Sequence, residues 1–177
     1  MSVIFREQLA ESAALPPLTA AVATCEAVEA IGGGRCEIKW PNDVWLERHK
    51  LAGILVEGRP VEGWAVVGIG MNVSTAPEDF PEDLRSSATS LVAAGVSGLG
   101  NEEVLAALVE ALDRRLGTPA AELLDAWRTR DALYGEHVAW NGGAGVAAGV
   151  DESGALLVET DSGERITLDA GEVHLSR

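Results

Sequence analysis

The hydrophobic positions in the first part of the chain change from a helical period to a strand period after residue 34. Apolar residues at helical spacing predict a helix from about Pro17 to Ile31, ended by Gly32–Gly34. Short apolar or alternating stretches predict strands at Val3–Phe5, Cys36–Trp40, Val44–Glu47, Leu51–Glu57 and Trp64–Val73. Short polar connections join the last three, which predicts a β-meander. The continuous apolar run of the last stretch also predicts burial on both of its faces.

The second half of the chain contains two amphipathic stretches and then loses its helical period. Asn101 is the expected N-cap of the first helix. Pro119 is expected to open a second helix that includes Leu133. Beyond residue 135, short apolar stretches alternate with glycine-containing turns and predict a small antiparallel unit of about five strands. We therefore expect two domains, at residues 1–134 and 135–177.

The charge of the chain excludes several classes of partner. It has 28 acidic side chains against 13 basic ones in 177 residues, a formal net charge of −15. Nucleic acids and anionic membranes attract basic surfaces, so neither is expected as the main partner. The longest apolar stretch, Leu15–Cys25, is shorter than the roughly 20 residues of a membrane span, and no basic leader precedes it. We expect a cytoplasmic protein in which Cys25 and Cys36 are reduced and buried.

The two lysines give the strongest indication of chemistry. The 13 basic residues include only Lys39 and Lys50 as lysines, and the two lie close together in the sequence. A chain that uses arginine everywhere else is expected to need a compact ammonium at these two positions. The alternative is that two surface lysines lie near each other by chance.

Polar groups follow the first lysine at a predicted strand end, where α/β sheets place ligands. Lys39 precedes a proline that ends the strand, and Asn42 and Asp43 come directly after it. Such a cluster can hold an anionic, magnesium-bound ligand, with Lys39 on a phosphate and Asp43 on the cation. The alternative for Asn42 and Asp43 is an ordinary Asx turn.

Glycines on two neighbouring predicted strands indicate that a ligand approaches their backbone. Lys50 opens the strand that contains Gly53, and Gly68 and Gly70 lie in the next strand before Asn72. If the two strands pair, Gly53 and Asn72 come close on one face of the sheet. We predict one concave surface with a small-ligand floor, lined by Lys39, Asn42, Asp43, Lys50 and Asn72.

In their order along the chain, these blocks resemble the biotin–protein ligases. The resemblance rests on Lys39–Asp43, Lys50–Glu57 and Gly68–Val73, and Ala88–Leu91 is also similar. The tail is similar at residues 127–131, 149–154 and 170–173. The resemblance implies an α/β (α+β) fold of the class II synthetase-like biotin/lipoate ligase type. That fold combines a mixed β-sheet and packed helices with a small SH3-like C-terminal barrel.

The resemblance also implies a two-step reaction that uses ATP, biotin and Mg²⁺. ATP and biotin form biotinyl-5′-AMP and pyrophosphate, and a lysine of a biotin carboxyl carrier domain then takes the biotinyl group. Two anions meet in the first step, so cations must reduce their repulsion. By the resemblance, Lys50 contacts the biotin carboxylate and then the acyl-phosphate oxygens. Lys39 is implied as the second catalytic cation, and Gly53 lets biotin approach the backbone.

The nucleotide contacts are implied in the same way. Asp43 is the implied Mg²⁺ ligand. The implied ATP-binding residues are Lys39, Asn42, Ile54 and Asn72.

Upstream features of the family are missing from this sequence. The family carries a Gly-Arg-Gly-Arg-type loop and a Ser-Thr-Asn biotin contact before the strand that Val3–Arg6 resembles, and neither occurs here. We therefore expect this chain alone to be inactive, and its uncovered strand edge to favour self-association, for example as a homodimer. The alternative function is a truncated, non-catalytic relative that acts as a binding or scaffold module. A chance match of the motifs in an unrelated α/β domain is the remaining alternative.

Overall fold

The computed structural model describes residues 1–6, 15–59 and 64–176; residues 7–14, 60–63 and 177, which fall in the two predicted domains, lie outside the described residues. A first sheet and its helices come first along the chain. They are β1 (Ser2–Arg6), α1 (Pro16–Ala30), β2 (Cys36–Lys39), β3 (Asp43–Leu46), β4 (His49–Arg59), β5 (Trp64–Met71), α2 (Asn101–Leu116) and α3 (Ala120–Arg128). The strands of a second sheet follow: β6 (His137–Trp140), β7 (Gly143–Val150), β8 (Leu156–Thr160), β9 (Arg165–Leu168) and β10 (Val173–Leu175).

The strands of the first sheet pair antiparallel in the order β1-β5-β4-β3-β2. The predicted β-meander is confirmed, because β3 pairs with β4 and β4 pairs with β5. Two later segments extend this sheet through parallel bridges, one between Lys50 and Ala88 and one between Ile38 and Asp131. These bridges make the sheet mixed, as the resemblance implies.

Helix α1 lies between one face of the first sheet and the helices α2 and α3. It is therefore buried over most of its surface, including Leu18, Val22 and Val28. Cys25 and Cys36 are free and fully buried in the same core, which confirms the prediction for both thiols. Helices packed on one face of a largely antiparallel sheet confirm the expected α+β class.

Strand β5 is buried on one face only, so the prediction of burial on both faces is wrong. Ala65, Val67 and Ile69 are buried on the face that meets the helices, and they alternate with more exposed residues that include Gly68 and Gly70. Glycine lengthens an apolar run in the sequence without needing burial, because it has no side chain to shield from water. The described helices cover one face of the sheet, and the glycine face stays accessible.

The two later helices begin and end differently from the sequence prediction. Gly100, and not Asn101, is the N-cap of α2. The backbone N–H of Gly100 donates a hydrogen bond to the Glu103 carboxylate at 2.9 Å, so the cap is completed by a side chain from the first helical turn. Helix α3 ends at Arg128. Leu133 lies beyond it, fully buried in the segment that leads to the second sheet.

The second sheet is antiparallel, in the order β10-β6-β7-β8-β9, which confirms the five strands expected there. Side-chain and backbone bonds fix it beside β2. The Trp40 indole N–H donates to the Gly154 carbonyl at 3.1 Å. The segment before β6 pairs with Ile38, whose N–H donates to the Arg130 carbonyl at 2.7 Å and whose carbonyl accepts from the Ala132 N–H at 2.9 Å. Of the helices described, none combines the length and apolar character that a membrane crossing requires.

A buried carboxylate lies in the segment that joins the two sheets. Burial raises the pKa of Asp131 to about 6, although hydrogen bonds from the backbone N–H groups of Leu133 and Tyr134 act in the opposite direction. Because this pKa lies above the ordinary value of about 3.9, the folded protein binds the proton more tightly than the unfolded chain. The resulting stability is fully present below about pH 4 and is lost as the pH rises through about 6.

Asp131→Asn should remove this pH dependence. Relative to the variant, the wild type should lose up to about 3 kcal/mol in its free energy of unfolding between about pH 4 and pH 7, which urea titrations would measure. Asp151→Asn is the control. Slight burial raises the pKa of Asp151, but hydrogen bonds from Ser153, Gly154 and Ala155 outweigh it and lower that pKa, so its stability is lost only below about pH 4. The same pH trend in both variants and the wild type would contradict the assignment to Asp131.

Candidate active site

The accessible face of the first sheet carries a cleft whose floor is built from glycines. Gly53 on β4 lies opposite Gly70 on β5, and Gly68 lies opposite Leu55 two residues further along the ladder. All four residues line a cleft of about 700 Å³. Because the intervening residues point into the helical core, the backbone itself forms the surface on which a ligand would rest.

Lys50 lies beside this floor and is held by an ion pair. Its Nζ atom is 2.6 Å from Oδ1 of Asp43, and the two side chains are 48% and 16% exposed. The pairing of β3 with β4 shifts near Trp45, so that Gly53 lies opposite Asp43 while Lys50 lies opposite Trp45. In a regular strand, residues three apart point to opposite faces. This bulge therefore turns Lys50 to the face of Gly53.

A segment that follows β5 fixes the backbone of Lys50. The Lys50 N–H donates to the Ser87 carbonyl at 2.7 Å, and the Thr89 N–H donates to the Lys50 carbonyl at 2.9 Å. The Asn72 side chain also binds this segment, because its Nδ2 donates to the Thr89 carbonyl at 3.1 Å. Main-chain bonds from Ser87 and Thr89 thus hold the backbone of Lys50, and Thr89 belongs to the block Ala88–Leu91 that is similar to the ligases.

Lys39 ends β2 and lies directly opposite Asp43 in the ladder with β3. Asp43 consequently has Lys39 on one neighbouring strand and Gly53 on the other. Both lysines line the cleft. The prediction that both lysines line one concave surface is confirmed, and they place two ammonium groups in one cleft of a strongly acidic chain.

Asn42 joins the turn after β2 to strand β4. Its Nδ2 donates to the Ile54 carbonyl at 2.8 Å, and the Ile54 N–H donates to the Asn42 carbonyl at 2.9 Å. The Asn42 side chain therefore bonds across the sheet instead of within its own turn. Asn42 and Ile54 both line the cleft, where this reciprocal pair makes a fixed edge.

Asn72 lines a different space, so the prediction of one shared surface is wrong for this residue. Strand β5 ends at Met71, although the Asn72 N–H still donates to the Leu51 carbonyl of β4 at 2.9 Å. In the register of β4 with β5, Gly53 lies opposite Gly70 and not Asn72. Asn72 lies in a neighbouring groove of about 480 Å³ between the end of β5 and the start of α2. Met1 and Ile69 are lining residues of both the cleft and this groove.

The segment before β10 of the second sheet also contributes to the cleft; the resemblance implies that the C-terminal domain helps to close the site, but the sequence did not single out the residues that do so. Gly171 and Glu172, just before β10, line it together with Ser2 of β1. Their distance from Lys39 along the chain gave no reason to place them there. The available signal was the similarity of residues 170–173 to the ligases, which points to a shared role without locating it.

Family models match both ends of the chain. Residues 1–74 match the biotin/lipoate A/B protein ligase family, and residues 135–176 match the biotin protein ligase C-terminal domain. The chain is 33% identical over 159 residues to the bifunctional ligase/repressor BirA of Bacillus subtilis, which covers 82% of this chain and 48% of that protein. It is also 33% identical over 144 residues to the biotin–[acetyl-CoA-carboxylase] ligase of Mycobacterium tuberculosis, with 77% and 52% covered. The chain thus spans about half the length of these curated relatives.

A solved structure is similar over nearly the whole chain. The biotin protein ligase from Aquifex aeolicus in complex with biotin and ATP has a TM-score of 0.84 and 27% identity, and the match covers 99% of this chain and 77% of that one. Together, the two family models and this structural likeness define the class: the chain belongs to the biotin protein ligase family. The resemblance inferred from Lys39–Asp43 and Lys50–Glu57 is thereby confirmed.

Proposed function

We propose that this protein attaches biotin to a lysine of a biotin carboxyl carrier domain, using ATP and passing through biotinyl-5′-AMP. The observation that carries the proposal is the glycine floor next to the two lysines of the chain. A relative named as a biotin–[acetyl-CoA-carboxylase] ligase and a similar structure in complex with biotin and ATP support it.

The floor glycines are not needed by the fold, which points to a ligand. A Cβ atom added at Gly70 would meet only the Gly53 carbonyl oxygen, at 3.9 Å, and one at Gly68 would approach Leu55 no closer than 3.7 Å. At Gly53 the nearest atom would be Cε of Lys50 at 3.4 Å. None of these glycines has a left-handed backbone. Because glycine weakens a strand, a flat ligand that lies directly on the backbone explains three of them in one patch.

The first step requires cations at the end of this floor. A carboxylate oxygen of biotin attacks the α-phosphorus of ATP, the bond from that phosphorus to the leaving pyrophosphate breaks, and biotinyl-5′-AMP forms. Both reactants are anionic. We assign Lys50 to the biotin carboxylate and then to the acyl-phosphate oxygens, and Lys39 to the phosphates, so that both ammonium groups reduce the repulsion between the reactants.

The second step releases AMP. The neutral amine of the carrier lysine attacks the acyl carbon, the bond from that carbon to the phosphate oxygen breaks, and the new amide nitrogen loses a proton. Lys50 remains beside the phosphate oxygen that takes the electron pair. An ammonium there stabilises the charge that develops on the leaving AMP.

In this proposal, Asp43 pairs with Lys50 when no biotin is bound. The resemblance assigned Asp43 to Mg²⁺, but its carboxylate lies 2.6 Å from an ammonium. Among the residues with described positions, no group of three or more His, Cys, Asp or Glu side chains is placed to hold a metal ion. We therefore infer that Mg²⁺ arrives on the phosphates of the ATP substrate, and that the biotin carboxylate competes with Asp43 for Lys50.

The nucleotide is proposed to extend from the cleft into the adjoining groove. Asn42 and Ile54 already bond to each other, so they would act as a fixed edge against ATP more than as free donors. Asn72 would meet the nucleotide in the groove that it lines. Met1 and Ile69 border both spaces, and this is the observation that supports such a path.

The 177-residue chain alone should bind biotin more weakly than micromolar. The polar side chains of the described cleft gather near Lys39 and Lys50, whereas the end at Leu55 and Gly68 offers the ureido ring few partners besides Ser2. Each unpaired polar group of a buried ligand costs roughly 1–3 kcal/mol. Water in an open cleft also weakens the attraction of Lys50 for anions. Calorimetry with biotin is the measurement, and micromolar or tighter binding followed by transfer to a carrier domain would contradict this expectation.

The function itself is tested in the protein as its gene encodes it. Biotin-dependent exchange of pyrophosphate into ATP should be followed by transfer of labelled biotin to a carrier domain, and a carrier with its acceptor lysine changed to arginine should take none. A folded protein that binds the carrier domain but shows no exchange at saturating ATP and biotin would instead favour the non-catalytic binding module.

A further inference from the structure

An indole on the cleft face of β3 contacts two cations. The Nζ atom of Lys39 lies 5.9 Å from the centroid of the Trp45 ring, and the Cζ atom of Arg48 lies 5.4 Å from it. Both distances are within the range of a cation–π interaction. Trp45 is half-buried and follows Asp43 by two residues, while Val44 between them is fully buried in the core. Trp45 therefore lies on the same face of the sheet as the cleft.

The two cleft lysines differ in what holds them. Lys50 pairs with a carboxylate, Asp43, at 2.6 Å. Within the part of the chain that the structure describes, the Lys39 ammonium has no ion pair or hydrogen bond, and its partner is the Trp45 ring. A long lysine side chain without a partner samples many positions. The ring restricts Lys39 without cancelling its charge, so the ammonium stays available to an anion.

Arg48 holds the ring from the turn between β3 and β4. Its Nη1 donates to the Ala132 carbonyl at 3.3 Å, and its Nη2 lies 3.3 Å from Oε1 of Glu136. These bonds anchor the guanidinium to the segment that leads into the second sheet. Arg48 does not line the cleft, so it supports Trp45 without competing with Lys39 for a ligand.

We propose that Trp45 is a positioning residue that holds the Lys39 ammonium at the edge of the cleft for a phosphate group. The inference rests on the proposed function, which gives Lys39 a phosphate of ATP or of pyrophosphate to bind. Trp45 itself touches no substrate and acts through Lys39. A carboxylate in its place would restrict Lys39 equally well but would neutralise it, and an aliphatic side chain would give no electrostatic attraction.

Because the chain has two lysines, the ring contact can be measured directly. Reductive methylation with carbon-13-labelled formaldehyde keeps the positive charge and gives one dimethylammonium resonance each for Lys39 and Lys50, which Lys39→Arg assigns. The Lys39 resonance should be shifted upfield by the ring current. It should move to the position of a free lysine in Trp45→Leu and keep part of its shift in Trp45→Phe. The Lys50 resonance should move less than that of Lys39, because Asp43 holds the Lys50 ammonium although Lys50 lies opposite Trp45 in the ladder.

Pyrophosphate binding tests whether the contact between Trp45 and Lys39 matters for a phosphate ligand. Trp45→Leu should weaken pyrophosphate binding by about two- to fivefold, and Trp45→Phe by less, because phenylalanine keeps a ring face for the cation. In a Lys39→Met background, Trp45→Leu should have no further effect. If Trp45 only supported the fold, Trp45→Leu would weaken pyrophosphate binding by the same factor in the wild type and in Lys39→Met.

The outcomes separate this inference from the proposed function. A Lys39 resonance that does not move in Trp45→Leu, or equal losses of pyrophosphate affinity in the two backgrounds, would overturn the positioning role while the proposed function stands. Wild-type pyrophosphate affinity in Lys39→Met would overturn the phosphate-binding role of Lys39, and with it that part of the proposed function. If Trp45→Leu does not fold, Trp45→Phe and Trp45→Tyr provide the same comparison, and retention of less than half of the upfield shift in both would count against the inference.

Discussion

In the protein as its gene encodes it, Lys50→Arg should lower the rate of biotin adenylation by about 10²–10³-fold although it keeps the positive charge. A guanidinium is broader and flatter than an ammonium. The space around Lys50 is set by the Asp43 carboxylate at 2.6 Å and by Gly53, where an added Cβ would lie only 3.4 Å from Cε of Lys50. An arginine would spread over the floor that the biotin carboxylate needs. Exchange of labelled pyrophosphate into ATP, measured with saturating biotin, reports this rate.

The opposite substitution, from arginine to lysine at a position far from the cleft, is the control for this prediction. Arg165 is exposed on β9, where it pairs with Glu159. Arg165→Lys should leave the exchange rate unchanged, because it alters neither the cleft nor the contacts between the sheets. A Lys50→Arg variant that exchanges pyrophosphate at a near-normal rate would refute the role assigned to Lys50.

In the protein as its gene encodes it, Gly70→Val should weaken biotin binding by roughly 100-fold while leaving the fold intact. The site of the new side chain is open in the free protein, because an added Cβ would meet nothing closer than 3.9 Å. Valine also suits a strand better than glycine, so the free energy of unfolding should stay the same or rise. The lost affinity would come from the side chain standing where the ligand rests. Calorimetry for binding and urea titration for stability measure the two effects separately.

Val67→Ala gives the opposite pattern and serves as the matched control. Val67 lies three residues earlier on β5, is 1% exposed and belongs to the helical core. Its truncation should cost on the order of 2 kcal/mol of stability and leave biotin affinity unchanged. If Gly70→Val binds biotin as well as the wild type, the glycine floor is not the biotin site.

The strands and the first helix could be predicted because their hydrophobic periods are strong. Helix α1 begins one residue before its predicted start and ends one residue before its predicted end. The exposed face of β5 could not be predicted, because glycine and valine read alike in an apolar run although only valine requires burial. The predicted N-cap of α2 is wrong by one residue. Asn101 has a good capping side chain, but the Glu103 carboxylate accepts a hydrogen bond from the Gly100 N–H, so that Gly100 is the N-cap.

The site was predicted in part, and its errors arise where the chain departs from regular geometry. Asn72 has the sequence spacing that would put it on the face of Gly70, but β5 ends before it. Lys50 reaches the cleft through a bulge that no periodic pattern reveals. Nothing in the sequence pattern marks Trp45 as a residue of the site. Its position beside Lys39 follows from a cross-strand register that the sequence does not specify.

Biotin is expected to lie on the glycine floor with its carboxylate at Lys50. Backbone amide resonances of a nitrogen-15-labelled chain test it most directly, even for weak binding, because biotin can be added to millimolar concentration. The amides of Gly53, Gly68 and Gly70 should shift most on adding biotin, and the shifts should become larger when ATP is also present. Unchanged resonances for all three glycines, or shifts confined to the groove around Asn72, would show that biotin does not rest on this floor.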